Sequence, residues 1–286
     1  MSRLYTLENE HIRIRVDTHG AELVSLVKKD TGHEYMWSAD EKYWGRVSPV
    51  LFPVVGNYRN RTMRFGGSEY TSGQHGFARD MEFALASQMD DELWFVLSSN
   101  DETKKQYPFS FSLLLGYRIK DCTVRVMWNV MNHDSRDIWF SIGGHPAFVS
   151  PVEGASIEFD VHKSVTAKTL DENGLVSGET KEFELDGGKL HLSHEMFDND
   201  ALIFEDQQIR KAVLKDENDN DVVSMLFDAP LLGVWTPAGK KAPFICIEPW
   251  YGRTDSNTFD GELPDREWGN KLKPSEVFST HYEIIV

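Results

Sequence analysis

The sequence is poor in cysteine and in basic residues, and both shortages narrow the possible functions. Only two cysteines, Cys122 and Cys246, occur among 286 residues, and 46 acidic residues against 30 basic ones give a formal net charge of −16. Both cysteines lie in apolar stretches without metal-site spacing, so we expect free buried thiols in a reducing cytoplasm. This excess of negative charge argues against nucleic acid or an anionic membrane as the main partner, because both bind basic protein surfaces.

Long apolar runs and long helical patterns are also missing. No apolar run approaches the roughly 20 residues of a membrane-spanning helix, and the N-terminal stretch MSRLYTLENEHIRIRV lacks the apolar centre of a signal peptide. The best candidate for a helical turn is the short stretch LSHEMFDNDALIF. These absences predict a cytoplasmic protein without a membrane partner. The sequence leaves a monomer and a homodimer as open alternatives.

Alternation of apolar and polar residues is the dominant pattern that is present. In HIRIRV at 11–16 and in CTVRVMWNV at 122–130, every second residue is apolar, which is typical of strands with one packed face. Further short apolar segments are separated by turn clusters such as KDENDND and TPAGKK. Neither a linker nor a repeat divides the chain. The pattern predicts an all-β sandwich or barrel with few short helices, as one domain over residues 1–286.

Three polar stretches interrupt the strand pattern. SGQHGFARD carries His75, FSIGGHPAF carries His145, and FICIEPWYGRTD carries Glu248. A lone histidine beside glycine is commonly a turn or surface residue. Glu248 is harder to explain in that way, because the apolar run before it should deliver its carboxylate to a buried place. A charge there is costly unless it is paired or functional.

His145 has neighbours that should fix its direction. The residue before a proline is biased towards an extended backbone, and Gly143 and Gly144 allow a path that other residues could not follow. Two histidines and a carboxylate could bind a metal or perform acid/base chemistry without one. The sequence contains neither HxH nor HExxH, which favours acid/base chemistry with no metal.

Together these stretches carry a family resemblance. QHGFARDMEF, GGHPAF and FICIEPW, the last followed by Gly252 and Asp255, resemble the aldose 1-epimerases (galactose mutarotases), most closely their LacX-like bacterial branch. The similarity is collinear over nearly the whole chain. It implies a single large antiparallel β-sandwich, the galactose mutarotase-like supersandwich, with a sugar cleft on one sheet face. It also implies no cofactor and a small aldose, of the galactose or glucose type, as the substrate.

The resemblance also implies catalytic roles. Glu248 would be the base that removes the proton from the C1 hydroxyl of the sugar, and His145 the acid that protonates the ring oxygen. His75 would hydrogen-bond near either atom, and the division of labour between the two histidines stays open. We expect burial to raise the pKa of the carboxyl group, and the nearby carboxylate to favour a protonated imidazole.

Sugar-binding residues follow from the same resemblance. Asp200 in FDNDALIF matches the family's hydroxyl-binding aspartate, with Asp198 as a neighbouring alternative. Trp235 and Phe148 are candidate apolar platforms for the sugar ring, although either could equally belong to the core.

The binding arginine is less well defined. In the segment FPVVGNYRNR, Asn57 occupies a position where many LacX-like members have arginine. Arg59 is therefore the first candidate for the sugar-binding arginine, and Arg79 is the second. Arg59, Arg61 and Arg64 could together bind a phosphate, which makes a hexose-6-phosphate 1-epimerase the nearest alternative, but RNRTMRFGG is equally typical of a hairpin with solvated arginines. A non-catalytic carbohydrate-binding protein on the same fold and a metal-dependent isomerase are the remaining alternatives.

Overall fold

The protein is built almost entirely from short strands, and the computed structural model describes residues 2–286. The strands are β1 (Leu4–Glu8), β2 (Ile12–Asp17), β3 (Glu22–Lys28), β4 (His33–Glu34), β5 (Val50–Leu51), β6 (Thr62–Phe65), β7 (Ser68–Thr71), β8 (Ala84–Gln88), β9 (Glu92–Ser98), β10 (Phe111–Lys120), β11 (Thr123–Asn132), β12 (Ile138–Phe140), β13 (Ile142–Gly144), β14 (Ala147–Val149), β15 (Ser156–Phe159), β16 (Ser164–Leu170), β17 (Val176–Glu184), β18 (Lys189–His191), β19 (Leu202–Phe204), β20 (Lys211–Lys215), β21 (Asp221–Phe227), β22 (Leu231–Trp235), β23 (Phe244–Tyr251), β24 (Asn270–Leu272) and β25 (Val277–Ile285). The helical segments are α1 (Asp101–Gln106) and the 3₁₀ turns Arg59–Arg61, Ala78–Asp80, His194–Phe197 and Leu263–Asp265.

Most strands belong to two large sheets. The nine-stranded sheet has the order β18-β15-β20-β21-β25-β11-β10-β9-β8, and the eight-stranded sheet has the order β17-β16-β19-β22-β23-β13-β5, with β14 paired to β23. A four-stranded sheet β1-β2-β3-β4 and the ribbons β6-β7 and β12-β24 complete the fold. Strand pairing is antiparallel throughout, for example along the full length of β10 and β11. The predicted all-β class with few short helices is confirmed.

The alternation of apolar and polar residues in the sequence corresponds to alternating burial along the strands. In β11 the residues at every second position are buried, namely Val124, Val126, Trp128 and Val130. The predicted turn KDENDND connects β20 to β21, and Asp216 closes it by accepting backbone N–H bonds from Asn218 and Asn220. The predicted helical turn in LSHEMFDNDALIF is the 3₁₀ turn His194–Phe197.

The two large sheets pack face to face. Gly144 in β13 lies so close to the nine-stranded sheet that a Cβ atom on it would be 2.9 Å from the Tyr282 hydroxyl and 3.2 Å from the Trp128 ring. One hydrophobic cluster includes residues from Leu7 to Ile284 and joins both sheets. This shared core supports the single-domain prediction, which stays a prediction. Within residues 2–286, no helix is long and apolar enough to cross a membrane.

Strand β23 separates this core from the site described below. Ile245 and Ile247 point into the core between the sheets. Because side chains alternate along a strand, Cys246, Glu248 and Trp250 face the other side of the eight-stranded sheet. A strand buried on both faces thus delivers one carboxyl group to the face away from the core.

A buried ion pair fastens the loop that follows β23. Arg266 Nε donates to Asp255 Oδ1 at 2.6 Å, and the two side chains are 2% and 3% exposed. Asp255 Oδ2 accepts the backbone N–H of Arg59 at 2.8 Å. Arg266 also donates to the Arg253 carbonyl at 2.7 Å and to the Ser141 hydroxyl at 3.3 Å. Distant chain segments are therefore held together at one charged contact.

We expect Asp255→Asn to lower the free energy of unfolding by about 3–5 kcal/mol, because it leaves the buried Arg266 guanidinium without its counter-charge. Glu69→Gln is the matched control, since the Glu69 carboxylate pairs with Arg64 on the surface and such pairs contribute about 0–1 kcal/mol. Urea unfolding followed by tryptophan fluorescence measures both variants. Equal losses of stability would contradict a structural role for the buried pair.

Candidate active site

A cavity of about 310 Å³ lies on the face of the eight-stranded sheet that points away from the core. This volume is at the lower end of the range for small-molecule sites, about 300–1,000 Å³. Six of the residues predicted from the sequence line the cavity, namely His75, Arg79, His145, Asp200, Trp235 and Glu248. The fold therefore brings together side chains from all three polar stretches.

Glu248 sits in the floor of the cavity. Its carboxyl group is 1% exposed, and neither oxygen has a hydrogen-bond partner among the described residues. On the neighbouring strand β22 the residue directly opposite is Gly233, which has no side chain to crowd the carboxyl group. Burial, followed by the nearby negative charge of Asp200, raises the pKa of Glu248 well above its usual value. The expected rise in its pKa is thus present.

Two glycines make room for the Trp250 ring beside Glu248. A Cβ atom on Gly143 or on Gly233 would lie 2.5 Å from this indole, and these glycines are the residues opposite Trp250 on β13 and opposite Glu248 on β22. Gly143 and Gly144 do not have a positive φ. Our expectation that they serve an unusual backbone path is therefore wrong, because close approach of large rings is what requires them.

His145 is held by packing on both sides of its ring. Its backbone N–H donates to the Pro49 carbonyl at 3.1 Å. Trp44 stacks on the imidazole with ring centroids 4.7 Å apart and planes at 27°, and Trp235 meets it edge-on at 5.2 Å. Nδ1 of His145 lies 3.4 Å from Oε1 of Glu248. The predicted acid and the predicted base are thus in direct contact.

The electrostatic surroundings of His145 disfavour a charged imidazole. Burial, followed by the positive charge of Arg79, lowers the pKa of His145 to about 3, and Arg46 acts in the same direction. Our expectation that the neighbouring carboxylate would favour a protonated imidazole is therefore reversed. Desolvation dominates, because both groups are buried and Glu248 itself is biased towards its uncharged form.

His75 presents a defined tautomer to the cavity. Its backbone has φ of 62°, a left-handed conformation stabilised by the bond from its N–H to the Gly56 carbonyl at 2.7 Å. The Gly56 N–H donates to Nδ1 of His75 at 3.0 Å, so the ring proton resides on Nε2. Burial, followed by the charge of Arg79, lowers the pKa of His75 well below its usual value. His75 is therefore a neutral hydrogen-bond donor at Nε2.

Asp200 supplies the second carboxyl group of the cavity. It has φ of 71°, and its N–H donates to the Phe197 carbonyl at 3.0 Å, directly after the 3₁₀ turn. Burial raises its pKa, and the Ala201 amide and the Trp235 indole oppose that rise. The neighbouring Asp198 is exposed and lines an outer groove but not the cavity.

Of the two candidate arginines, the structure places only Arg79 at the cavity. Arg79 Nη2 donates to the Gln74 carbonyl at 2.8 Å, and burial lowers its pKa to about 10, with the charge of Arg46 as the next cause. Arg59 Nη1 instead donates to the Phe259 carbonyl at 3.0 Å. Arg59 borders a separate polar groove, so the first choice does not reach the cavity and the second does.

Phe148 does not line the cavity, in contrast to our prediction. It is fully buried in the core between the sheets and lies opposite Ile245. Ala147, one residue earlier, lies opposite Cys246 on the cavity side of β23. A shift of one position along a strand exchanges the two faces, and the sequence motif alone does not define that register.

Trp44 is a site residue that the sequence does not reveal. It lies in a loop between β4 and β5, and its position is fixed by the Trp37 indole N–H, which donates to the Trp44 carbonyl at 2.9 Å. The adjacent Tyr43 carbonyl accepts a bond from Lys240 at 2.7 Å. Nothing in EKYWG points to His145, since the two residues meet only in the folded chain.

Metal-binding atoms also occur in the cavity floor. Within residues 2–286, one atom each from His145, Cys246 and Glu248 lies within 4.8 Å of the others. Burial and the neighbouring Glu248 raise the pKa of the Cys246 thiol well above its usual value, so without a bound cation the thiol keeps its proton.

Sequence comparison identifies the family that the chain matches. The model of the family described as aldose 1-epimerase matches residues 3–284. The chain is also similar to the plasmid-encoded protein LacX of Lactococcus lactis subsp. lactis, with 30% identity over 295 residues that cover 98% of each chain. The resemblance to the LacX-like branch is thereby confirmed.

Solved structures share the whole fold. A galactose mutarotase related enzyme from Lactobacillus acidophilus is 31% identical, with a TM-score of 0.94 over 99% of this chain and 97% of that one. A galactose mutarotase-like protein from Lactobacillus casei is 28% identical, with a TM-score of 0.92 over 99% of both chains. From the family match, the shared fold and the residues gathered in the cavity, we conclude that this chain belongs to the aldose 1-epimerase family.

Proposed function

We propose that the protein is an aldose 1-epimerase that interconverts the α and β anomers of a free hexose such as galactose or glucose. Membership of the family supports a carbohydrate epimerase in general. The observation that carries the specific proposal is the contact between His145 Nδ1 and Glu248 Oε1 at 3.4 Å in the floor of a small cavity. Acid/base chemistry requires one group that takes a proton beside one that gives a proton.

Anomer exchange follows from ring opening and reclosure. The C1 hydroxyl loses its proton to Glu248, the ring oxygen gains a proton from His145, and the bond between C1 and the ring oxygen breaks. Rotation about the C1–C2 bond presents the other face of the aldehyde, and the reverse proton transfers close the ring. His75 assists as a neutral donor through Nε2, because its Nδ1 already accepts the Gly56 N–H.

The other residues that line the cavity are suited to binding a sugar ring. Asp200 offers carboxyl oxygens to sugar hydroxyl groups, and Arg79 offers guanidinium donors. Trp44 and Trp235 contact each other edge-on with ring centroids 5.5 Å apart, and they provide apolar surface for the C–H face of a sugar.

The distribution of charge favours an unphosphorylated substrate. Arg64 pairs with Glu69 and Asp260 at 3.2 and 3.1 Å on the surface and is not among the residues that line the cavity. The outer groove next to the cavity is bordered by acidic residues, namely Asp171, Glu172, Glu179 and Asp198. Negative charge at the mouth repels a phosphate group.

We expect Glu248→Gln and His145→Gln each to reduce the catalysed rate about 100- to 10,000-fold, the usual contribution of a positioned acid or base. Polarimetry of freshly dissolved α-galactose or α-glucose measures the approach to anomeric equilibrium with and without protein. The exposed Glu69→Gln serves as the control and should keep the wild-type rate. If wild-type protein binds the sugar but adds nothing to the spontaneous rate, the non-catalytic alternative replaces this proposal.

Glucose should be a better substrate than glucose 6-phosphate by about tenfold or more in kcat/KM, because the acidic mouth repels the phosphate. Anomerisation of both sugars, followed side by side by NMR at equal ionic strength, measures the ratio. Raising the salt concentration should narrow the difference, since salt screens the repulsion. A preference for the phosphorylated sugar would support the hexose-6-phosphate alternative instead.

Activity should survive exhaustive treatment with a chelator, because the proposed proton transfers require only side chains. The rate of α-glucose anomerisation before and after dialysis against EDTA checks this, with buffer-matched dialysis as the control. Loss of activity that returns on addition of a divalent cation would favour the metal-dependent alternative.

A further inference from the structure

We propose that the floor of the cavity is a binding site for a thiophilic divalent cation such as Zn²⁺, and that the bound cation blocks the site reversibly. The ligands are the His145 imidazole, the Cys246 thiolate and the Glu248 carboxylate. One nitrogen, the sulfur and one oxygen of these side chains lie within 4.8 Å of one another. Binding of the cation is independent of the proposed function, whereas its inhibitory effect rests on that function.

Paired strands deliver the three side chains. Cys246 and Glu248 are two residues apart on β23, so they face the same side of the sheet. His145 lies in the short link between β13 and β14, and both of these strands pair with β23. The Ile247 amide also donates to the Pro146 carbonyl at 3.4 Å. Ligands carried by strands are positioned more precisely than ligands on loops, so the cluster is built on a firm part of the sheet.

The spacing of the cluster suits a tetrahedral centre. Zinc bonds of about 2.0–2.3 Å to nitrogen, oxygen and sulfur place neighbouring tetrahedral ligands about 3.3–3.7 Å apart. Nδ1 of His145 already lies 3.4 Å from Oε1 of Glu248. No spacing in the cluster exceeds 4.8 Å, so the Cys246 sulfur has to approach the other two atoms by no more than about 1.2 Å.

Two of the three ligands have lone pairs that the protein does not use. Within residues 2–286, Nδ1 of His145 and both carboxyl oxygens of Glu248 are buried without a hydrogen-bond partner, and the two side chains are 8% and 1% exposed. Buried polar atoms without a partner are costly, and coordination to a cation would remove that cost. Trp44 and Trp235 pack against the imidazole, which keeps it beside the carboxyl group.

Charge balance also favours a dication in this place. A coordinating thiol loses its proton to water, and a coordinating carboxyl group does the same where it carries one. The thiolate and the carboxylate then cancel the two positive charges of the cation, and a neutral complex is less costly to bury than a charged one. The positive charges that face His145 are Arg79 and Arg46, and the negative charge that faces Glu248 is Asp200. A neutral complex carries no net charge for either sign to repel.

The ligand set also determines which cation fits. One nitrogen, one sulfur and one carboxylate are typical of zinc-like transition metals. Mg²⁺ and Ca²⁺ require about six or more oxygen ligands, and the cluster does not offer them. Three protein ligands leave a fourth position open, as in zinc sites that bind water or a substrate. The cavity that His145 and Glu248 line is the space beside this position.

A cation bound there would prevent the proposed reaction. It would occupy the carboxylate that is proposed to take the C1 proton and the imidazole that is proposed to give a proton, so sugar and cation should compete. Cys246 is not among the residues that line the cavity. Its replacement should therefore remove the cation site and leave the surface offered to the sugar unchanged.

Cobalt absorption of the full-length protein tests binding without reference to activity. Titration with Co²⁺ should give a thiolate-to-cobalt charge-transfer band and the visible bands of a tetrahedral centre, saturating at one equivalent. Cys246→Ser should abolish the charge-transfer band, and Cys246→Ala repeats the test if serine disturbs the packing. Cys122→Ser is the matched control and should keep the band. Glu248→Gln should weaken Co²⁺ binding at least about 10- to 100-fold, the loss seen for mere second-shell partners. Absence of the band from wild type, or its persistence in Cys246→Ser, would overturn the site.

Anomerisation measured with added Zn²⁺ tests the inhibitory effect. We expect Zn²⁺ to inhibit the wild type in competition with the sugar, EDTA to restore the rate, and equal concentrations of Mg²⁺ or Ca²⁺ to have no effect. Cys246→Ser should keep the basal rate and need at least about tenfold more Zn²⁺ for half inhibition. Equal sensitivity of this variant, or activation of the wild type by Zn²⁺, would overturn the inhibitory effect. A protein that binds Co²⁺ through Cys246 but does not accelerate anomerisation would overturn the proposed function and leave the cation site intact.

Discussion

The constraint on which the site depends is that β23 carries a carboxyl group to an almost fully buried position in the floor of the cavity. Glu248 is 1% exposed, and no described residue donates a hydrogen bond to it. An uncompensated carboxylate in such a place is expensive, so the surroundings must either neutralise it or give it a partner. The partner that the structure offers is His145, whose Nδ1 lies 3.4 Å from Oε1 of Glu248. The rest of the cavity is organised around keeping these two side chains in contact.

Several parts of the structure hold Glu248 in its position next to His145. Alternation along β23 directs Glu248 away from the core, and Gly233 on the next strand leaves room for the Trp250 ring beside it. The loop after β23 also contributes, because the Thr254 hydroxyl donates to the Gly174 carbonyl at 2.7 Å at the cavity wall. The next residue, Asp255, belongs to the buried ion pair with Arg266. Stability and site geometry thus depend on adjacent residues of one motif.

Sequence patterns predict the strands and the chemistry better than they predict contacts. Alternation of apolar and polar residues predicts the strands, because side chains alternate between the two faces of a sheet and one face is buried. Glu248 is recognisable as a candidate because a carboxylate is unexpected at the end of an apolar strand. Register is not encoded in that pattern, which is why the sequence offers Phe148 as a candidate for the cavity although it belongs to the core. Trp44 gives no local signal, since its partner lies far away in the chain. The charge state of His145 depends on burial and on Arg79, which only the folded structure brings together.

The placement of charges around the pair also bears on how it can work. The charge of Arg79 disfavours an imidazolium at His145, and the charge of Asp200 disfavours a carboxylate at Glu248, which is the reverse of what would stabilise an imidazolium beside a carboxylate. Both charges therefore work against separation of charge between the two side chains. They also make any transient imidazolium a stronger acid towards the ring oxygen, and any transient carboxylate a stronger base towards the C1 hydroxyl. Because both anomers of the sugar in the proposed reaction are uncharged, a site that avoids lasting charge would serve its ring opening and reclosure equally well.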